Sequence, residues 1–378
     1  MKLKKEVKDF PVIFMTGATG FLGGATLSYI IESKIDCRLI LLVRGKNMHE
    51  CMNRIMASVW RFINPNFLKY VPNNIEIIPG DLIDEAWHKE KCLNEVTHVL
   101  HIAANTSFGF QPSIRQTNIY GATAIANAMR KKPNLQRYFH IGTAMICGSN
   151  PSKIVYEDQY PKEGVRQFVT YTSTKAEAEK LLNLLYEEFP LIIVRPSIVV
   201  GHTRFGCQPS TSIFWFFLTT YQLQRTTWSL NNNIDIIPVD YAAAALTHLL
   251  LKPKLHYRRY HISAGENSSI TWKEMFESFE KIQKETPRYN KYKRVKFSDD
   301  ITEDQIRKVL GPRHPGDEKR MLLAIRLYFR FAALDTVFNN SRLLREGFRL
   351  PPRFTDYLPT CFKTSFGRDI YDQMQRDF

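Results

Sequence analysis

Tyr171-Thr172-Ser173-Thr174-Lys175 sets a phenol and an ammonium four residues apart. On a helix that spacing puts both groups on one face, one turn apart. There the ammonium would lower the phenol's pKa and reach the ribose of a bound cofactor. The phenol would pass a proton to an oxygen while hydride arrives at the attached carbon. A chain with 17 tyrosines produces such a pair easily by chance, so the order of the surrounding features carries the weight. Upstream, Thr143 closes the fifth predicted strand and offers a hydroxyl to hold a carbonyl oxygen. Further upstream, Gly17, Gly20 and Gly23 follow an apolar run and open a helical pattern. In that setting the first glycine permits a tight turn, the second lets backbone approach a pyrophosphate, and the third lets helix pack closely on strand. Alone, such a glycine pattern is an ordinary strand-to-helix turn.

The second strand ends in Val43-Arg44-Gly45, where a carboxylate would bind a bare ribose 2′-hydroxyl. A guanidinium there suits the additional 2′-phosphate of NADPH, and Arg54 on the following helix is placed to join it. Asp81, in Gly80-Asp81-Leu82 after the third strand, could meet the adenine amino group. Ala103-Ala104-Asn105 after the fourth offers small residues where backbone must lie against the cofactor.

The elements that must position these groups read as follows. Val12–Met15, Leu39–Val43, Ile75–Ile78, His98–Ile102, Tyr138–Ile141 and Ile192–Val194 are short apolar runs, suited to central parallel strands covered on both faces. Helical patterns lie between them, notably Ala122–Arg130 and Ser173–Glu188. This alternation predicts an α/β fold with a doubly wound, parallel Rossmann-type sheet. The expected division is an NADP-binding domain over residues 8–264, with an insertion over the site at about 204–233. A smaller, mainly helical C-terminal substrate lobe follows over 265–378.

The 378-residue chain is 44% hydrophobic, enough for one large core and a smaller appended one. Its six cysteines show no metal-ligand spacing, no secretory signal precedes the first strand, and no apolar run is long enough to span a bilayer. Those features lead to the expectation of a cytoplasmic protein with reduced thiols and no metal site. The formal net charge of +15 suits an anionic partner. The basic residues are spread too evenly to suggest nucleic acid.

Taken together, Thr16–Gly24 (TGATGFLGG), Leu41–Arg44, Gly80-Asp81-Leu82, Thr97–Ala104, Asn118–Ala122, Tyr171–Lys175, Arg195–Gly201 (RPSIVVG) and Asp235–Tyr241 resemble the extended short-chain dehydrogenases/reductases. Within that superfamily the chain is most similar to the fatty acyl-CoA reductases and the thioester reductase domains of carboxylic acid reductases and peptide synthetases. The likeness runs from about Phe10 to Ser263 and is weaker beyond, where Val337–Leu343 matches a later family segment. One departure is Gly142-Thr143, where relatives often carry Ser-Thr.

The resemblance implies that Tyr171 is the proton donor, Lys175 its modulator and ribose ligand, Thr143 the hydroxyl partner and Asn118 a support. It sets Thr16, Gly17, Thr19, Gly20, Phe21 and Leu22 along the cofactor, together with Arg44, Arg54, Asp81, Leu82, Ala103, Ala104 and Asn105. Pro196-Ser197-Ile198 would pass the nicotinamide. His202, Phe205, Gly206 and Asp240 would border the substrate channel.

The implied reaction is NADPH-dependent reduction of an acyl thioester, on coenzyme A or an acyl carrier protein, to an aldehyde and onward to an alcohol. The other readings are a hydroxysteroid dehydrogenase, a nucleotide-sugar epimerase, or a dinucleotide-sensing regulator without catalysis. The apolar run Ile213–Leu218 fits a lipid better than a sugar, and plain core packing equally well. Because no adenylating or carrier segment precedes Val12, the acyl group is expected to arrive already activated. The basic stretch Lys281–Arg330, with Lys291, Lys293, Arg294 and Lys296, would meet the phosphates of coenzyme A or the acidic helices of a carrier. A competing reading rests Met321–Leu334 on anionic lipid as a peripheral contact.

Overall fold

The computed structural model describes residues 10–63, 74–84, 86–108, 111–185, 189–285, 295–312 and 314–375. Its centre is a seven-stranded parallel sheet. The strands are β1 (Val12–Thr16), β2 (Arg38–Val43), β3 (Ile75–Pro79), β4 (His98–His101), β5 (Arg137–Ile141), β6 (Leu191–Pro196) and β7 (Arg259–Ile262). Their spatial order is β7-β6-β5-β4-β1-β2-β3, so the winding reverses between β1 and β4. In a doubly wound sheet the ligand crevice opens at that reversal, beyond the carboxyl ends of the strands.

The apolar run of β1 is explained by the cores on either side. Ile13 and Met15 of β1 join one cluster and Val12 and Phe14 the other. On the first face, helix α1 (Phe21–Glu32) packs against α6 (Val239–Leu251) and beside α2 (Met48–Val59). On the second lie α3 (Ala122–Met129) and α4 (Thr170–Leu185), with Ile125, Met129 and Leu182 fully buried. β7 is a strand the sequence pattern does not announce. Its Arg259 and His261 interrupt the apolar signal, and His261 is buried nonetheless, bonded through Nδ1 to the Asn339 carbonyl at 3.0 Å.

The predicted apolar insertion forms α5 (Phe214–Leu223), with every residue but Gln222 buried. It shares a core with α7 (Trp272–Glu285), α8 (Glu303–Leu310), α9 (Pro315–Ala332) and α10 (Phe354–Ser365). Residues 335–348 return to the sheet: Val337–Phe338 pairs in parallel with Ile154–Val155, and Leu343 enters the sheet core. Asp235 fastens this return by accepting from the backbone N–H groups of Ala264, Gly265 and Phe338 at 2.7, 3.2 and 3.0 Å.

The proposed lipid-facing stretch Met321–Leu334 uses its apolar side chains inward. Met321, Leu322, Ile325, Tyr328 and Ala332 belong to the core, and Arg326 pairs with Glu303. Contact with a membrane through that face has no support here. Among the described residues, no helix is long and apolar enough to cross a membrane. Lys291, Lys293 and Arg294 lie outside the described residues. Lys296 is exposed, while Arg307 nearby is held by Glu303, Asp304 and Glu318.

Candidate active site

The glycine turn after β1 is shaped by contacts only glycine allows. Gly17 has φ +79°, and a Cβ there would stand 2.5 Å from the Ala103 nitrogen beyond β4; at Gly23 it would stand 2.0 Å from the Gly17 carbonyl oxygen. Gly20 differs, since the nearest atom to its Cβ would be the Gly17 oxygen at 3.4 Å. The fold does not need glycine at that position, whereas a phosphate pressed against the turn would. Gly20 caps α1 without any side-chain bond, so the first N–H groups of that helix remain available to an anion. The carbonyl side of the turn is occupied instead. Arg61, which sequence reading passed over, donates to the carbonyls of Thr19 and Gly20 at 3.0 and 3.2 Å, and Ser58 donates to that of Ala18. These features fit a dinucleotide with its pyrophosphate at the start of α1.

The other expected cofactor positions gather around the same crevice. Thr16 Oγ1 accepts from the Ala103 N–H at 3.3 Å and bonds His101 Nδ1 at 2.8 Å, tying β1 to β4. Arg44 is exposed at the end of β2, and Arg54 Nη1 donates to its carbonyl at 2.9 Å, which draws the two guanidinium-bearing segments together. Asp81 closes a turn by accepting from Ile83 N–H, and Leu82 is buried beneath Gly121. Ala104 and Asn105 stay half-buried. Phe21 and Leu22 pack with Phe62. At the end of β6, Ser197 N–H donates to the Ile262 carbonyl, and Ile198 pairs with Ile236.

Helix α4 brings Tyr171 and Lys175 to one face, as their spacing predicts, beginning at Thr170 and not Ser173. Lys175 is 2% exposed and its ammonium donates to the Ile141 carbonyl at 2.7 Å, at the end of β5. Burial lowers its pKa to about 8, with the Glu179 carboxylate pulling the other way. Tyr171 keeps part of its surface open. Burial pushes its phenol up to about 12, and the Thr143 hydroxyl, hydrogen-bonded to it, pulls back. The lowering by the Lys175 ammonium that the spacing led us to expect is not seen, because burial outweighs the lowering influence, and the phenol keeps its proton at neutral pH. Thr143 Oγ1 accepts from the Met145 N–H at 3.2 Å, which leaves its hydroxyl proton to donate.

Asn118 is fully buried in a π-helical turn, Gln116–Gly121, a rare element that recurs at functional sites. Its amide donates to the Asn105 carbonyl at 2.9 Å and to Thr174 Oγ1 at 3.0 Å, and its oxygen accepts from the Asn105 N–H at 2.8 Å. It thus locks the loop after β4 to the residue preceding Lys175.

His202, Phe205 and Gly206 lie on one compact turn, and Asp240 of α6 is bonded to it. His202 and Gly206 are bridged, Asp240 accepts from the Thr203 N–H at 3.0 Å, and the His202 ring lies 4.6 Å from that of Phe205 and 6.4 Å from that of Phe62. Phe62 in turn lies 6.1 Å from Phe21, so this turn borders the start of α1.

A different wall stands over the phenol. Phe108 stacks 6.3 Å from Tyr171 and lies 4.8 and 5.4 Å from Tyr328 and Phe331 of α9, while Phe168 meets Phe331 edge-on at 5.0 Å. Phe108, Phe168 and Phe331 are each only half-buried. Their separation in the chain hides this group from sequence reading.

A reversed doubly wound sheet, a glycine turn fitted to phosphate and a Thr-Tyr-Lys group at its mouth define an extended short-chain dehydrogenase/reductase, an oxidoreductase fold that takes a nicotinamide dinucleotide. The model of the family described as "Male sterility protein", an NAD-binding family, matches residues 15–246, and the chain belongs to it.

The chain is similar to the non-canonical nonribosomal peptide synthetase cpsA of Aspergillus campestris, at 25% identity over 79% of this chain and 30% of that protein. It is 28% identical to a putative fatty acyl-CoA reductase, CG8303, of Drosophila melanogaster over 61% of this chain and 50% of that one. It therefore spans half or less of these two relatives. Among solved structures, the terminal R domain from the myxalamid PKS-NRPS biosynthetic pathway superposes with a TM-score of 0.75 at 22% identity, covering 94% of this chain and 90% of that one.

Proposed function

We propose that the protein reduces an acyl thioester, carried on coenzyme A or an acyl carrier protein, with NADPH as hydride donor. The observation that carries this reading is the aromatic wall of Phe108, Phe168, Tyr328 and Phe331 beside Tyr171. It offers an apolar acyl chain a surface where a sugar would leave its hydroxyls unpaired. The likeness to proteins named as a fatty acyl-CoA reductase and a peptide synthetase supports the same substrate class.

Thr143 and Tyr171 hold the carbonyl oxygen by hydrogen bonds that strengthen as charge builds on it. A nicotinamide bound at this crevice would supply the hydride that the carbon takes up. Tyr171, protonated at neutral pH, steadies the tetrahedral oxyanion until the thiolate leaves and the aldehyde forms. A second reduction of that aldehyde, with hydride from a second NADPH and the proton from Tyr171, would produce the alcohol. Lys175 would hold the ribose of the bound cofactor, and Asn118 keeps the Lys175 turn in register. Cys147 takes no part: it is buried, and burial pushes its thiol up to about 12.

If the wall binds the acyl chain, Phe331→Ala should raise the KM for a long-chain acyl-CoA about tenfold, the effect of losing one aromatic contact worth about 1.4 kcal/mol. A short-chain thioester should be nearly unaffected. Equal effects on both substrates would take the wall out of acyl recognition.

Arg44 and Arg54 support NADPH over NADH, because paired guanidinium donors match a 2′-phosphate. Wild type should bind NADPH more tightly, and Arg44→Ala should narrow the difference about tenfold or more, as expected on losing a charge-assisted bond. Direct titration of both cofactors reads this; equal affinities in wild type would refute it.

A further inference from the structure

Glu179 lies one turn beyond Lys175 on α4, so phenol, ammonium and carboxylate recur at every fourth residue along one face. The carboxylate is fully buried. Arg195 of β6, itself 1% exposed, grips it through Nε and Nη2 at 3.0 and 2.8 Å. The guanidinium is fixed in turn: Nη1 donates to the carbonyls of Glu157 and Gln159, and the Tyr160 ring lies 4.6 Å from it.

The carboxylate also explains the departure at Gly142. A Cβ on Gly142 would stand 2.2 Å from Glu179 Oε1, so even the smallest side chain would displace it. Ile141, whose carbonyl receives the Lys175 ammonium, precedes this glycine, and Thr143 follows it. One buried carboxylate thus lies against the glycine that separates the carbonyl receiving the Lys175 ammonium from the Thr143 hydroxyl.

We propose that Glu179 is a positioning residue, the buried counter-charge that keeps Lys175 ionised and aimed at the β5 turn, with Gly142 leaving it room. The charges around it make the need plain. Lys175 and Arg195 are two buried cations. Among the described residues, the other titratable groups that feel the ammonium are His101 of β4 and His140 of β5, with Tyr171 one turn away on its own helix; burial and Lys175 itself keep both histidines neutral. Without Glu179, no anion among these groups would offset the ammonium, and an uncompensated buried charge releases its proton. The functional consequence rests on the proposed role of Lys175, but the charge relation does not, so the test reads stability as well as activity.

Lys175 sits below its unfolded value, so the unfolded chain binds the extra proton between the two pKa values and stability rises with pH across that window. In wild type this rise begins near about 8. In Glu179→Gln, which preserves shape, it should begin at least about one pH unit lower. The stability deficit of the variant, measured by denaturant unfolding, should therefore narrow between about pH 6 and 8. In a Lys175→Met background the same substitution should give a deficit that does not change with pH in that range. A deficit equally flat in both backgrounds would reduce Glu179 to a structural partner of Arg195 and overturn the proposal. Loss of activity with the narrowing intact would instead count against the reaction assigned to the site. Should Glu179→Gln fail to fold, Glu179→Asp decides: it keeps the charge, so the onset should stay within about half a unit of wild type, and a larger fall would contradict the proposal.

Discussion

Tyr171→Phe should lose at least about 100-fold in turnover while nicotinamide cofactor binding stays near wild type, since the phenolic hydrogen bond strengthens only as charge develops on the carbonyl oxygen. The substitution keeps the ring that stacks against Phe108, and so it leaves the aromatic wall standing. What disappears is the donor that shares the oxygen with Thr143. The pH dependence should follow the neighbouring ammonium. With the phenol held up to about 12 and Lys175 near about 8, turnover should decline above about pH 8 as Lys175 loses its proton, well before the phenol ionises. Steady-state rates and cofactor titrations on the same preparation separate the two effects. Near-normal turnover would mean that another group supplies the hydrogen bond.

The glycine turn yields a prediction of similar size, because its glycines serve different ends. Gly23→Ala would drive a methyl into the Gly17 carbonyl, 2.0 Å away, where both partners are backbone and neither can swing aside. It should destabilise the protein by about 3 kcal/mol and loosen α1 from the turn. Gly20→Ala meets nothing nearer than 3.4 Å, and the residue's φ of −80° suits any side chain. Its stability should match wild type, yet dinucleotide affinity should fall at least about tenfold, because the methyl occupies the approach to the pyrophosphate. Thermal unfolding and cofactor titration of the two variants give this split. Unchanged affinity in folded Gly20→Ala would place the phosphates elsewhere.

The contrast between these glycines shows how far the sequence could be read. β1 and β2 were the most legible, because strands covered on both faces write apolar runs such as Val12–Met15 and Leu39–Val43 into the chain, and β3 to β6 kept enough apolar residues around Glu76, His98, His101 and His140 to be read as strands. β7 was not, because Arg259 and His261 interrupt its apolar signal: the Arg259 guanidinium donates to Asn183 of α4, and the His261 ring bonds the returning segment at Asn339. Tyr171 and Lys175 were legible from helical spacing, and continuing the same spacing by four residues would have reached Glu179. The position of Gly142 becomes intelligible only once that carboxylate is seen against it. Phe108, Phe168, Tyr328 and Phe331 left no local trace. They come from two loops and the helix α9, and the Met321–Leu334 stretch reads as an amphipathic surface until its partners are known. Arg61 was equally silent, since its ligands are backbone carbonyls about 40 residues away, and a backbone acceptor carries no sequence signature.

The central claim is that hydride leaves the cofactor for a thioester carbonyl, and its most direct test follows NADPH and free thiol together. Wild-type protein should be mixed with NADPH and a long-chain acyl-CoA, recording loss of nicotinamide absorbance alongside thiol release. Thiol release should be coupled to hydride consumption, with one NADPH oxidised per thiol if the aldehyde is released and two if it is reduced to the alcohol. Thiol release without NADPH oxidation, or NADPH left intact by thioesters while a nucleotide sugar is turned over, would contradict it.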